Sequence, residues 1–202
     1  GGGLLLGLVV GVGLSLMHAL VDATCHPTTP HPWVSFAING TYHTLGLIIV
    51  NAISRLAQVL SVVQWFIVVF TGKRHRGLWD LTRGCLNWEV RAYAYATMMY
   101  DTYPNFGFEK KDEPVEFVLD WDEAPANRLS VALRIIYAIP AALLAIVVYI
   151  GAVFVMIATW FAILFTGNQP RGMFDFLLKA ERLGARLSAY LYLLTDTYPK
   201  YA

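Results

Sequence analysis

From Ile135 to Thr166 the chain runs for 32 residues without a charged side chain. As a helix this stretch measures about 48 Å at about 1.5 Å per residue, whereas the hydrocarbon core of a bilayer is about 30 Å thick. The run must therefore tilt, project or turn back. Pro140 and Gly151 offer two breaks, so a hairpin entering and leaving on one face and a single tilted helix are both admissible. An earlier block, Thr44 to Thr71, has the same character but carries Asn51, Arg55, Gln58 and Gln64. Composition decides between lipid and a soluble core. Of the 202 residues 57% are hydrophobic and 14% charged, against about 45–50% and about 25% in soluble domains. The chain reads as an all-α integral membrane protein.

Both blocks end in the same words. "WFIVVFTGKRHRGLWD" from Trp65 returns as "WFAILFTGNQPRGMFD" from Trp160, an offset of 95 residues, and the gapless match extends to Pro104 and Pro199 with 15 identities in 40 positions. The chain is a tandem duplication. Gly72 and Gly167 suit a left-handed C-cap after an apolar helix. Arg76 and Arg171 then stand where a lipid phosphate or a helix carboxyl end would be. Trp65, Trp160, Tyr103 and Tyr198 suit the aromatic belt of a membrane interface, and Pro104 and Pro199 close the following helices.

Those following helices, near residues 78–100 and 173–195, mix aliphatic and aromatic residues with charges: Asp80, Arg83, Glu89 and Arg91 in one, Asp175, Lys179, Glu181, Arg182 and Arg186 in the other. Each mid-span charge costs about 2.5–3.5 kcal/mol on insertion scales, so an interfacial amphipathic helix fits better than a crossing one. Asp80 and Arg91, like Asp175 and Arg186, lie 11 residues apart on one face, too far to pair directly. Each is expected to meet a neighbouring element or lipid headgroups. Arg55, inside the first apolar block, reads as a snorkelling or structural cation.

Ahead of the first copy, Leu4 to Val21 is an apolar run with small residues, read as a retained N-terminal transmembrane helix. Residues 22 to 43 then alternate Pro27, Pro30 and Pro32 with polar residues and read as an extended surface loop. His18, His26, His31 and His43 lie in or beside it, with Asp22 and Cys25; His26, His31 and Cys25 are the candidate metal ligands, although their spacing matches no compact metal motif. Between the copies the linker holds seven of the fourteen acidic residues, and Val115, Phe117, Leu119 and Trp121 alternate with Glu116, Val118 and Asp120. That period of two predicts a short β segment outside the bilayer.

The organisation is therefore an N-terminal helix and His/Pro-rich loop (1–43), a first membrane repeat (44–108), an acidic linker with a short strand (109–129) and a second membrane repeat (130–202). Each repeat is a long hydrophobic helix or hairpin followed by an amphipathic helix. Duplicated sequence is expected to meet the same side of the membrane, and the basic "GKRHRG" turn favours the cytoplasmic side. If the charged helices instead cross, paired inside a bundle, the copies become parallel two-span repeats of transporter type.

The residues that carry the duplication also resemble a known family. "WFAILFTGNQPRGMFDF", Arg186, Tyr190 and "LLTDTYPKY" are similar to the bacterial membrane family named domain of unknown function 4389, over residues 44 to 108 and 125 to 202. That family favours Pro in the turn after Thr-Gly, which Pro170 supplies and His75 does not, and Pro-Pro-Phe at the end, where this chain has "YPNF" and "YPKY". The resemblance implies a membrane fold, a bacterial inner-membrane location and no particular reaction or cofactor.

No acid–base or nucleophilic set accompanies the linker carboxylates, and no dense basic patch suits nucleic acid. The expected role is a non-catalytic accessory or scaffold subunit, or a bilayer-organising protein, in contact with lipids and other membrane subunits. Arg76, Arg91, Arg171, Arg186, Trp65, Trp160, Tyr103 and Tyr198 are its candidate lipid or partner contacts. A solute or lipid transporter using Arg55, Arg91 and Arg186, and a metal-binding redox protein, are the alternatives. No cofactor is expected beyond lipid.

Overall fold

The computed structural model describes residues 32–100 and 115–201. The expected N-terminal transmembrane helix, and His26, His31 and Cys25, lie outside those residues. The described chain forms five helices: α1 (Pro32–Thr71), α2 (Arg76–Ala96), the short α3 (Arg128–Ala132), α4 (Arg134–Thr166) and α5 (Arg171–Leu191). Two of them, over Ile48–Thr71 and Arg134–Thr166, are long and apolar enough to cross a membrane. Only 11% of the most apolar stretch of α4 is buried within the protein. A core helix of a soluble domain would be mostly covered.

Helix α1 starts at Pro32, upstream of the expected boundary at Thr44. Proline is tolerated in the first turn of a helix because its missing N–H has no intrahelical acceptor there, and none follows between residues 33 and 71. The predicted loop is thus helical over 32–43. Both long helices end alike. Gly72 and Gly167 take φ of 76° and 68°, and Thr71 and Thr166 each donate their hydroxyl back to the carbonyl four residues earlier, at 2.6 Å. α4 is one continuous helix through Pro140 and Gly151, not a hairpin. Gly151 is instead a packing position: a Cβ there would lie 3.2 Å from Phe176 Cζ of α5.

Each apolar helix folds back against the amphipathic helix that follows it. Beyond the buried Arg134 at its foot, the buried positions along α4 are Ala138, Ala141, Ala145, Ala152 and Thr159, a stripe of small side chains at helical spacing. Small residues let two helix backbones approach closely. On α5 the answering face includes Leu177, Ala180 and Leu183, with Ala152, Leu177 and Ala180 in one buried cluster. Much of the remaining α4 surface is exposed Ile, Leu, Val and Phe, with Tyr137 and Tyr149 among them.

The two copies run in opposite directions. The end of α1 meets the end of the linker and α3, which leads directly into α4: Trp65 Nε1 donates to Val131 O at 3.0 Å, Arg128 donates to Thr71 O at 3.1 Å, and Ala126 N–H donates to Gly72 O at 3.1 Å. α2 leaves that end and α5 returns to it, since Trp79 Nε1 donates to Leu194 O at 2.9 Å and Trp79, Leu86, Ala189 and Leu194 form one buried cluster. α1 therefore runs toward this end and α4 away from it. The first turn, residues 72–75, sits at one end of the bundle and the second, 167–170, at the other. Duplicated sequence is expected to meet one side of the membrane; within the bundle the two turns stand at opposite ends, because the repeat fixes each hairpin while the linker fixes how one is turned against the other.

The linker also departs from its expected form. Val115 to Trp121 is extended and its side chains alternate between half-buried and exposed, yet no strand exists among the described residues. Instead of pairing with another strand, the segment lies along α2. Phe117 N–H donates to Asn87 Oδ1 at 3.2 Å, and Phe117, Leu119 and Trp121 pack on the cluster around Trp79 and Leu86. A helix surface offers no ladder of free N–H and C=O groups, so the period of two appears without a sheet.

Candidate functional site

At the join between the copies, the first turn, the foot of α4 and the C-terminal tail converge on one carboxylate. Arg74 forms an ion pair with Asp196 and donates Nε to Leu193 O at 3.1 Å. Arg134, the last cation before the apolar run, pairs with the same carboxylate. It also donates Nη1 to Tyr190 O at 2.8 Å and Thr195 O at 3.0 Å, and its guanidinium lies 4.5 Å from the Tyr190 ring centroid. Both arginine side chains are 3% exposed and Asp196 is 44% exposed. Burial by itself would raise the Asp196 carboxyl; the hydrogen bond and charge of Arg74, joined by Arg134, more than offset that and hold it below the usual carboxylate value.

Local backbone chemistry presents these groups. After α5 the chain leaves the helix through Leu193 at φ 62°, and Met98, its counterpart 95 residues earlier, has φ 59° at the end of α2. A left-handed residue turns the tail sharply, which exposes the carbonyls of Leu193 and Leu194 to Arg74 and Trp79 of the other copy and that of Thr195 to Arg134 of its own. The donating cations come from the first turn and from α4, 119 and 61 to 62 residues away in sequence.

The residues singled out from sequence are dispersed. Arg76 is exposed, 3.8 Å from Asp80 and 5.6 Å from the Trp121 ring centroid. Arg171 is exposed in the first turn of α5. Arg91 is buried, 1% exposed, whereas Arg186 is half-buried and donates to Lys200 O at 2.9 Å. Arg55 is exposed and donates to Gln58 Oε1 at 3.0 Å. Trp65 faces the join through its bond to Val131, and Trp160 is half-buried with its Nε1 shut away from solvent. Tyr198 is exposed, its ring centroid 5.9 Å from that of Tyr190; Tyr103 lies outside the described residues. Among the described residues no three His, Cys, Asp or Glu gather as a metal site requires.

Sequence reasoning missed Arg74, Arg134 and Asp196 as a unit. The one available signal was the repetition of Asp in both "DTYP" tails, which composition alone reads as a helix stop. Arg134 reads equally as an interfacial anchor at the start of an apolar run.

Beside this node, the extended linker and the tail flank a cleft of about 570 Å³, whose walls include Phe117, Leu119, Arg186, Thr195, Thr197 and Lys200. It is open to one side and mixes apolar walls with two cations.

No curated protein and no solved structure matches the chain. A family model described as a domain of unknown function (DUF4389) matches twice, over residues 35–108 and 128–202, in agreement with two tandem copies. The two matches take in both helical hairpins, both turns and the Asp196 tail, so the chain belongs to the DUF4389 family as a tandem pair.

Proposed function

We propose that this protein is a non-catalytic integral membrane protein, an accessory or bilayer-organising element in which α1 and α4 cross the bilayer in opposite directions. The observation that carries this reading is the division of labour among its residues. Two of the buried cationic side chains, those of Arg74 and Arg134, are spent on Asp196 and on backbone carbonyls at the join. The long helices meanwhile leave wide apolar arcs uncovered, including Val59, Val62, Phe66 and Phe70 on α1 and Val147, Phe154 and Phe165 on α4. Arcs of that length are satisfied by acyl chains or by other membrane subunits. The first turn and α3 bring Lys73, Arg74, Arg76 and Arg128 to one end of the bundle, where the opposite turn has Arg171 alone. The positive-inside bias then supports a cytoplasmic first turn, as a bacterial inner-membrane location would require.

The role is tested by extracting the tagged chain from native membranes under gentle conditions and identifying every co-purifying protein and lipid. A stoichiometric membrane partner supports the accessory role. Catalysis or transport by the purified chain alone, without a stable partner, overturns it. The crossing is tested with Lys73→Cys and Asn168→Cys, made separately in a chain lacking Cys25 and Cys85, using an impermeant thiol reagent on right-side-out and inverted vesicles. Labelling from opposite sides is expected. Labelling of both from one side removes the crossing.

One observation favours a transporter as the second reading: antiparallel copies of one unit are the arrangement many secondary transporters use. It requires solute flux in proteoliposomes that is abolished by Arg91→Gln or Arg186→Gln at unchanged abundance.

A further inference from the structure

We infer that the cleft between the linker and the C-terminal tail binds the anionic headgroup of a membrane phospholipid. Its floor is Arg186 and Ala189 of α5, one wall is Phe117 to Leu119, and the other is the tail from Thr195 to Lys200. Arg186 commits Nη1 to Lys200 O, one of the five N–H donors of a guanidinium. Thr195 Oγ1 accepts from Thr197 N–H at 3.2 Å, so the Thr195 hydroxyl hydrogen is available to a ligand oxygen. Among the described residues no acidic side chain lines the cleft, and the neighbouring carboxylate, Asp196, is turned onto Arg74 and Arg134. The site thus offers two cations and hydroxyls to an anion, with the half-buried Phe117 and Leu119 beside them for the apolar part of the same molecule. Arginine with flanking hydroxyls is matched to phosphate oxygens.

Depth in the membrane points the same way. Lipid-exposed backbone without hydrogen-bonded neighbours does not occur within hydrocarbon. Both walls of the cleft are irregular backbone, so it opens at headgroup or water level. The corresponding arginine of the first copy, Arg91, is 1% exposed while Arg186 is half-buried. Between these two equivalent arginines, the one in the second copy is the more accessible.

The inference rests on the membrane reading above, but its test does not depend on crossing. The full chain, purified in a mild non-ionic detergent, is titrated with phosphatidylglycerol and with phosphatidylcholine of the same acyl chains, and bound lipid is counted by native mass spectrometry. Phosphatidylglycerol is expected to be retained about tenfold better, a difference of one decade in dissociation constant. Thr197→Glu and Lys200→Glu, at exposed tail positions, should each erase that preference, while Arg182→Gln, exposed on α5 one turn away, should leave it intact. Circular dichroism confirms folding of each variant, and Lys200→Glu decides the matter if Thr197→Glu does not fold. Equal retention of the two lipids, an unchanged preference in both tail variants, or displacement of phosphatidylglycerol by millimolar inorganic phosphate overturns the proposal. If vesicle labelling puts both turns on one side while the lipid preference stands, the crossing fails and the cleft survives.

Discussion

Replacing Asp196 should be the most disruptive single change at the join. Two guanidiniums whose side chains are 3% exposed share this one carboxylate, and removing one partner of a buried pair costs about 3–5 kcal/mol. Asp196 is itself 44% exposed, and the arginines keep carbonyl acceptors at Leu193, Tyr190 and Thr195. Solvent screening and those acceptors reduce the expected loss for Asp196→Ala to about 2 kcal/mol. In a chain of this size that lowers the thermal midpoint by about 4–8 °C, read by far-ultraviolet circular dichroism in detergent micelles. Asp196→Asn should lose a comparable amount, since it keeps shape but not charge. Acid supplies an independent check. Because the folded carboxyl is held below its unfolded value of about 3.9, the unfolded chain binds the proton more tightly, so stability rises with pH across this titration. The contribution is complete above the unfolded value and is lost as pH falls through the lower folded one, and Asp196→Asn should lack that component of acid sensitivity. A double-mutant cycle with Arg74→Leu should give a coupling of about 0.5–3 kcal/mol. Additive losses, or a midpoint in Asp196→Ala indistinguishable from wild type, would refute the node as the clasp between the copies.

Gly184→Ala should destabilise, although alanine is normally the better helix former by about 1 kcal/mol, because a Cβ there would stand 1.8 Å from the Tyr149 hydroxyl oxygen; Tyr149→Phe should rescue it in the same thermal assay. A stabilised single variant would show that the ring moves aside freely. Gly72→Ala should cost more than Gly167→Ala. Both positions have positive φ, worth about 1–2 kcal/mol against any L side chain, but only at Gly72 would the new Cβ also meet Arg128 Nε, at 2.9 Å. Equal midpoints for the pair would remove Arg128 from the argument. Trp79→Phe should lose about 1–3 kcal/mol by leaving the buried Leu194 carbonyl without its indole donor; urea titration showing no loss would mean the tail is held elsewhere.

Legibility in the sequence tracked the range of the interaction. The two glycine turns, the long apolar helices and the amphipathic helices all follow from residues within a few positions of one another, although α2 and α5 end at Ala96 and Leu191, ahead of the expected close at Pro104 and Pro199. The linker misled because alternation reports one buried face without naming what buries it; here α2 takes the place of a neighbouring strand. The start of α1 was misplaced because Pro32 belongs equally to a proline-rich loop and to a first helical turn. The candidate contacts Arg76 and Arg171 were found as exposed cations, whereas Arg74, beside Arg76 in the same turn, gave no sign that it would be buried against the tail.

By itself, the sequence determined that this chain is a duplicated, largely helical protein with two helices fit for a membrane, because apolar length and helical period are local quantities. Tertiary structure alone decided that the copies oppose one another, that Asp196 clasps Arg74 and Arg134, and that a basic cleft opens beside the tail. Those outcomes depend on where a linker delivers the second hairpin, and on contacts between residues 119 and 62 positions apart. No period or motif encodes such a meeting, since each partner taken singly is satisfied by water, by a carbonyl or by a lipid headgroup.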